Sequence, residues 1–171
     1  MPLVRFGKIA GDAFVRVAED DPLPDSGAIL VSAARFLADP ETLSRRVGGA
    51  GVIWPNNRDV DDLVPYLDRL AVVALVFPTF RDGRAYSQAR LLREHYGFRG
   101  ELRATGDVLR DQFLFLVRAG FDAFEVRKDA DAEVFAKEIA RHSVFYQSTG
   151  DGRITALHRR MQLRHSESAG L

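Results

Sequence analysis

The chain contains no cysteine, which removes disulfides, thiolate metal sites, cysteine-bound iron–sulfur clusters and cysteine nucleophiles from its chemistry. Lysine is nearly as scarce. It occurs only at Lys8, Lys128 and Lys137, and the rest of the basic charge is arginine. G+C-rich codon usage is enough to produce such a bias, so arginine abundance by itself carries no functional weight. No window approaches the roughly 20 apolar residues of a membrane span, and residues 1–14 hold no long apolar core of the signal-peptide kind. The expectation is a soluble, cytoplasmic protein with no membrane partner. Net charge is lacking too: Lys plus Arg and Asp plus Glu number 24 each, which leaves no global electrostatic case for nucleic acid. Nucleotide fingerprints are missing. Gly48-Gly49-Ala50-Gly51 precedes a strand, whereas the glycines of a dinucleotide site must open a helix. His95, His142, His158 and His165 are dispersed without carboxylate or histidine neighbours at ligand spacing. The sequence therefore calls for no metal and no cofactor.

What is present is a run of 171 residues, 46% of them apolar, which suits one domain with a substantial core. We read residues 1–150 as a single α/β domain and 151–171 as a basic C-terminal tail, since 153–164 carries Arg153, His158, Arg159, Arg160 and Arg164 with no acid. Two β-prone runs, 3–9 and 13–18, read as an N-terminal hairpin over 3–18 turning at Gly11. From residue 28 to 145 strands and helices alternate. Strands are expected at 28–33, 51–54, 71–77, 101–105 and 121–127, and helices after Asp39-Pro40 and at 59–69, 85–96, 107–118 and 131–142. Such repeated units imply right-handed crossovers and a mostly parallel sheet.

Polar groups are densest at 77–112, which holds seven Arg, five acidic residues, His95, Ser87, Gln88 and Gln112 among enough apolar residues to fold. Parallel α/β folds place ligands at the carboxyl ends of their strands. Arg81, Asp82, Arg84, Ser87 and Gln88 fall at such an end, where an anion would meet guanidinium groups and free helix amides. The competing reading has Asp82 capping the helix and both arginines in solvent. Alternation puts Glu101, Arg103 and Thr105 on one face of a strand, and Ala123, Glu125 and Arg127 on one face of the next. These charges line either a ligand site or an ion-pair ladder. Asp107 suits an N-cap, and Gln112 interrupts an apolar stripe, so its amide bonds either neighbouring backbone or the same cleft. Charges buried between two helix layers would be costly. A partial (β/α)-barrel-like sheet is therefore favoured over the alternative, a doubly wound open sheet. A full eight-unit barrel exceeds the chain's length, so the barrel is incomplete or completed by a second copy in a homodimer.

Two segments carry a family resemblance. Arg81-Asp82-Gly83-Arg84, Tyr86-Ser87-Gln88-Ala89 and Leu92-Arg93 are followed by Gly100-Glu101-Leu102-Arg103-Ala104, Gly106, Val108-Leu109 and Asp111-Gln112. This pattern resembles an uncharacterised bacterial family whose members are often labelled "oxidoreductase probably involved in sulfite reduction", because their genes tend to sit beside that of sulfite reductase. The resemblance implies an accessory role in assimilatory sulfate or sulfite reduction, with a small anionic ligand or the reductase as partner. The anion- or substrate-binding set would be Arg81, Arg84, Ser87, Gln88, Arg103, Gln112 and Arg127. The alternatives are a stand-alone enzyme, with Glu101 or Glu125 as general base and an arginine clamp, and an oligomerisation module.

Overall fold

The computed structural model describes residues 1–5 and 8–141. One sheet of eight strands organises them: β1 (Leu3–Arg5), β2 (Lys8–Ala10), β3 (Phe14–Arg16), β4 (Ala28–Ser32), β5 (Ala50–Trp54), β6 (Val72–Phe77), β7 (Glu101–Gly106) and β8 (Ala123–Glu125). Their order in space is β2-β1-β8-β7-β6-β5-β4-β3. Strands β3 to β8 are parallel, and β1 runs antiparallel to both β8 and β2. The parallel α/β reading and the N-terminal hairpin therefore stand.

The hairpin is shorter than the one expected over 3–18. Leu3 pairs with Ala10 and Arg5 with Lys8, so the reversal falls before residue 8. The second β-prone run, which becomes β3, pairs instead with β4 at the opposite edge. Alternation reads the same whichever neighbour a strand has, so local pattern could not choose between these partners.

Helices α1 (Ala33–Ala38), α2 (Pro40–Ser44), α3 (Arg84–Arg90), α4 (Phe113–Arg118) and α5 (Ala130–Arg141) follow the strands, joined by shorter turns. Asp39 caps α2 as expected, accepting the Thr42 amide at 3.2 Å with Pro40 in the first turn. The helix expected at 59–69 is a 3-10 helix, Val60–Tyr66, with Pro65 inside it; proline lacks the amide that an α-helical turn needs there. The helix expected at 107–118 is split into a 3-10 turn, Arg110–Gln112, and α4. Past α3 the chain continues as a π turn, Leu91–His95. Among the described residues, no helix is long and apolar enough to cross a membrane.

Alternation separates the two faces of the sheet chemically. Ile29 and Val31, Val52 and Trp54, Val73, Leu75 and Phe77, Leu102 and Ala104, and Phe124 and Val126 all join one core, with Phe36, Leu43, Ala85, Ala89, Leu92, Phe113 and Leu116 from the helices. The opposite face carries a small apolar group, Leu30, Val72 and Ala74, flanked by Phe14 and Ile53. A doubly wound sheet would need helices on that side as well. Here the sheet curls into a half-barrel around it. Laid flat, eight strands about 4.8 Å apart would separate β2 from β3 by roughly 34 Å. Yet only Gly11, Asp12 and Ala13 join β2 to β3, a connection that reaches at most about 14 Å. The sheet must bend to bring its edges this close.

Arg93 fastens the amino edge of β7 and β8. Its Nε donates to the Gly120 carbonyl at 2.9 Å, and its Nη1 to the carbonyls of Phe98 at 2.5 Å and Gly100 at 2.9 Å. Its Nη2 pairs with Asp122, whose carboxylate also accepts the Leu102 amide at 2.9 Å.

Candidate functional site

Beside its small apolar group, the concave face of the half-barrel carries a cluster of charges. Arg103 is wholly buried, and all three of its guanidinium nitrogens are engaged. Nε donates to Glu101 at 2.8 Å, Nη1 to Asp12 at 2.7 Å and to Glu125 at 3.3 Å, and Nη2 to the second Asp12 oxygen at 3.0 Å. Arg16 reaches across from β3 to both oxygens of Glu125 at 2.5 Å, Thr105 donates to Glu125 at 2.6 Å, and Arg5 pairs with Glu101. The Phe14 ring lies 5.9 Å from the Arg103 guanidinium, within cation–π range. Three guanidiniums thus face three carboxylates, and the set is neutral. Burial alone would lower the pKa of Arg103, but its hydrogen bonds to Asp12 and Glu101 outweigh burial and raise it. Burial likewise pushes Asp12 upward, and the Arg103 hydrogen bonds together with the Phe14 amide bring it below the ordinary aspartate value. Both shifts say that the pair is ionised.

The expected placement of Glu101, Arg103, Thr105 and Glu125 on one concave face is what the structure has. Arg127 departs from it. It lies past β8, exposed, and pairs with Asp107 at 2.6 Å. Asp107 is not a helix cap. Its second oxygen accepts the Phe80 amide at 3.0 Å, which ties the loop after β6 to the one after β7. Gln112 bonds backbone on both sides, donating to the Phe80 carbonyl at 2.9 Å and accepting from the Leu109 amide at 3.2 Å.

At the β6–α3 junction Asp82 accepts the Arg84 amide at 3.3 Å and pairs with its guanidinium at 2.7 Å. Arg84, with help from the Asn56 amide nearby, holds the Asp82 carboxyl well below the usual carboxylate range. Arg81 is exposed and lies over the Phe80 ring at 5.3 Å. Gln88 is buried and donates to the carbonyls of Pro55 at 3.1 Å and Arg58 at 2.7 Å, bracing the turn after β5. Its Oε1, the Asn56 Nδ2 and the Trp54 Nε1 are buried without a well-aligned partner. Ser87 faces outward on α3, beside a shallow hollow of about 430 Å³ that it shares with Arg90, Leu91, Glu94 and His95. The sequence-derived residues therefore divide: Glu101, Arg103 and Glu125 converge, whereas Arg81, Arg84, Ser87, Gln88, Gln112 and Arg127 are distributed over the rim and the helix side.

Sequence reasoning missed two groups. Arg5, Asp12 and Arg16 complete the interior cluster from the N-terminal strands and their connection, and the alternation that sets Arg5 opposite Val4 and Arg16 opposite Val15 was the only local sign of the two arginines. Arg110 and Lys128 line an open cleft of about 760 Å³ at the carboxyl edge of β7 and β8, together with Asp111, Arg127 and Asp131. The Asp131 carboxylate accepts the Lys128 amide at 3.3 Å, closing the first turn of α5.

The model of a bacterial protein family of unknown function, DUF934, matches residues 51–157, which runs from β5 past α5. The chain belongs to that family. The DUF934 match takes in Glu101, Arg103, Thr105, Glu125 and the whole basic cleft, while Arg5, Asp12 and Arg16 lie before it. No curated protein and no solved structure matches the chain.

Proposed function

We propose that the protein is an accessory factor of assimilatory sulfate and sulfite reduction that binds a small oxyanion at the carboxyl edge of its curled sheet. The observation that carries this reading is the open cleft lined by Arg110, Arg127 and Lys128. Arg127 is paired with Asp107 and the carboxylates of Asp111 and Asp131 also line the cleft, but Arg110 and Lys128 have no ion-pair partner among the described residues, so an anion held by these two breaks no ion pair. The position also suits the rule that parallel sheets present ligands at their carboxyl ends. Binding is favoured over general-base catalysis because the oxygens of Glu101 and Glu125 are already taken up by Arg5, Arg16, Arg103 and the Thr105 hydroxyl, which leaves neither carboxylate open to a substrate proton. The metabolic setting rests on the family resemblance alone. Docking onto sulfite reductase through the same basic edge is the macromolecular form of the reading.

Thermal unfolding in the presence of sulfite, sulfate and phosphate tests it. A ligand at a hundredfold excess over its Kd adds about 2.7 kcal/mol of stability, which raises Tm by several degrees. Arg110→Ala with Lys128→Ala should abolish that rise. A Tm indifferent to all three anions in the unaltered protein would overturn the oxyanion reading.

A further inference from the structure

The interior cluster raises a question that the rim cleft does not. Arg103 presents two parallel donors, Nη1 and Nη2, and the carboxylate that occupies them is not one of the strand-borne pair. It belongs to Asp12, in the three-residue connection between the two edge strands. Gly11, Asp12 and Ala13 are all exposed, and nothing lies within 4 Å of the position a side chain would take at Gly11. The strands on either side are three residues each and mostly exposed. Glu101 and Glu125, by contrast, are fixed in β7 and β8 and hold Arg103 at Nε and, beside Asp12, at Nη1. Among the described residues, the most buried guanidinium is thus closed off by a carboxylate carried on an exposed three-residue connection, where the Phe14 amide also holds it at 3.0 Å.

We propose that Arg103 is a small-oxyanion site inside the half-barrel, held shut by Asp12 acting as a built-in occupant. With Asp12 swung out, Arg5, Arg16 and Arg103 face only Glu101 and Glu125, and the cluster carries one net positive charge. The vacated position offers two parallel N–H donors, the geometry that carboxylates and tetrahedral oxyanions accept bidentately. A singly charged oxyanion restores neutrality. Asp12 lowers the apparent affinity by keeping most molecules in the closed form, and its removal lifts that tax. This site is separate from the rim cleft and stands or falls independently of it.

The test uses the full chain carrying Arg110→Ala and Lys128→Ala, so that the rim does not contribute. Acetate and methanesulfonate, both singly charged, are titrated calorimetrically, the two arms separating carboxylate from sulfur oxyanion. Adding Asp12→Ala should tighten binding of one of them at least about tenfold, and Arg16→Gln in that background should weaken it again. Equal affinity with and without Asp12 in folded protein overturns the proposal. So does tightening that Arg16→Gln leaves unchanged. Should Asp12→Ala fail to fold, nitrogen-15 spectra of the protein with Asp12 intact decide: the Arg103 Nε–H and the amides of residues 11–14 should shift saturably with the anion. Resonances that stay fixed throughout the titration overturn it equally.

Discussion

Arg103 shows how one side chain sets the chemistry of its surroundings. A guanidinium removed from water pays a desolvation cost of several kcal/mol, which only close partners offset. It has them on three sides, and each is itself partly or wholly withdrawn from solvent. Truncation would leave Glu125, which is 4% exposed, with one partner fewer and Asp12 with only the Phe14 amide. Arg103→Ala should therefore cost about 3–5 kcal/mol of unfolding free energy in urea, far more than the same change at exposed Arg81. A loss below about 1 kcal/mol would mean that the interior is wet and the ion pairs are screened.

At the scale of the elements, the junctions after strands decide which side chains meet. Gly106 ends β7 with φ of 94°, and a side chain there would come within 2.4 Å of the Phe77 carbonyl oxygen. That carbonyl accepts the Asp107 amide at 2.8 Å, so the contact places Asp107 where it bridges the Phe80 amide and Arg127. Gly106→Ala would combine left-handed backbone strain, on the order of 1–3 kcal/mol, with a backbone clash. We expect at least about 2 kcal/mol lost in chemical denaturation. Chemical shifts should change at Phe80 and Arg127 while those of the remote residues near Asp39 stay fixed. The helix boundaries that sequence missed lie in these same junctions. Pro65 interrupts one expected α-helix. Asp107 looked like a cap because Gly106 precedes it, but its carboxylate is taken by a neighbouring loop that no local pattern reveals.

For the whole molecule, the short link from β2 to β3 turns an open sheet into a half-barrel, and Asp12 clasps its two edges to the centre. Its pKa is lowered on folding, so the clasp stabilises the protein at every pH above the ordinary aspartate value of 3.8 and is lost as pH falls below it. The stability difference between the unaltered protein and Asp12→Asn should be constant above about pH 5 and shrink under more acid conditions. A difference that grows towards low pH would show that Asp12 is not held as the charged partner of Arg103.

The parallel α/β class, the strand series from residue 28 onward and the shared face of Glu101, Arg103 and Thr105 were all legible in the sequence. Each depends on periodicity within a few residues, and apolar burial enforces that periodicity wherever the strand ends up. The destination of β3, the partners of Arg103 and the cleft that brings Arg110 beside Lys128 were decided only in three dimensions. Asp12 and Arg103 are 91 positions apart. Their meeting follows from the curl of the sheet, which emerges from eight strands together and is written in none of them.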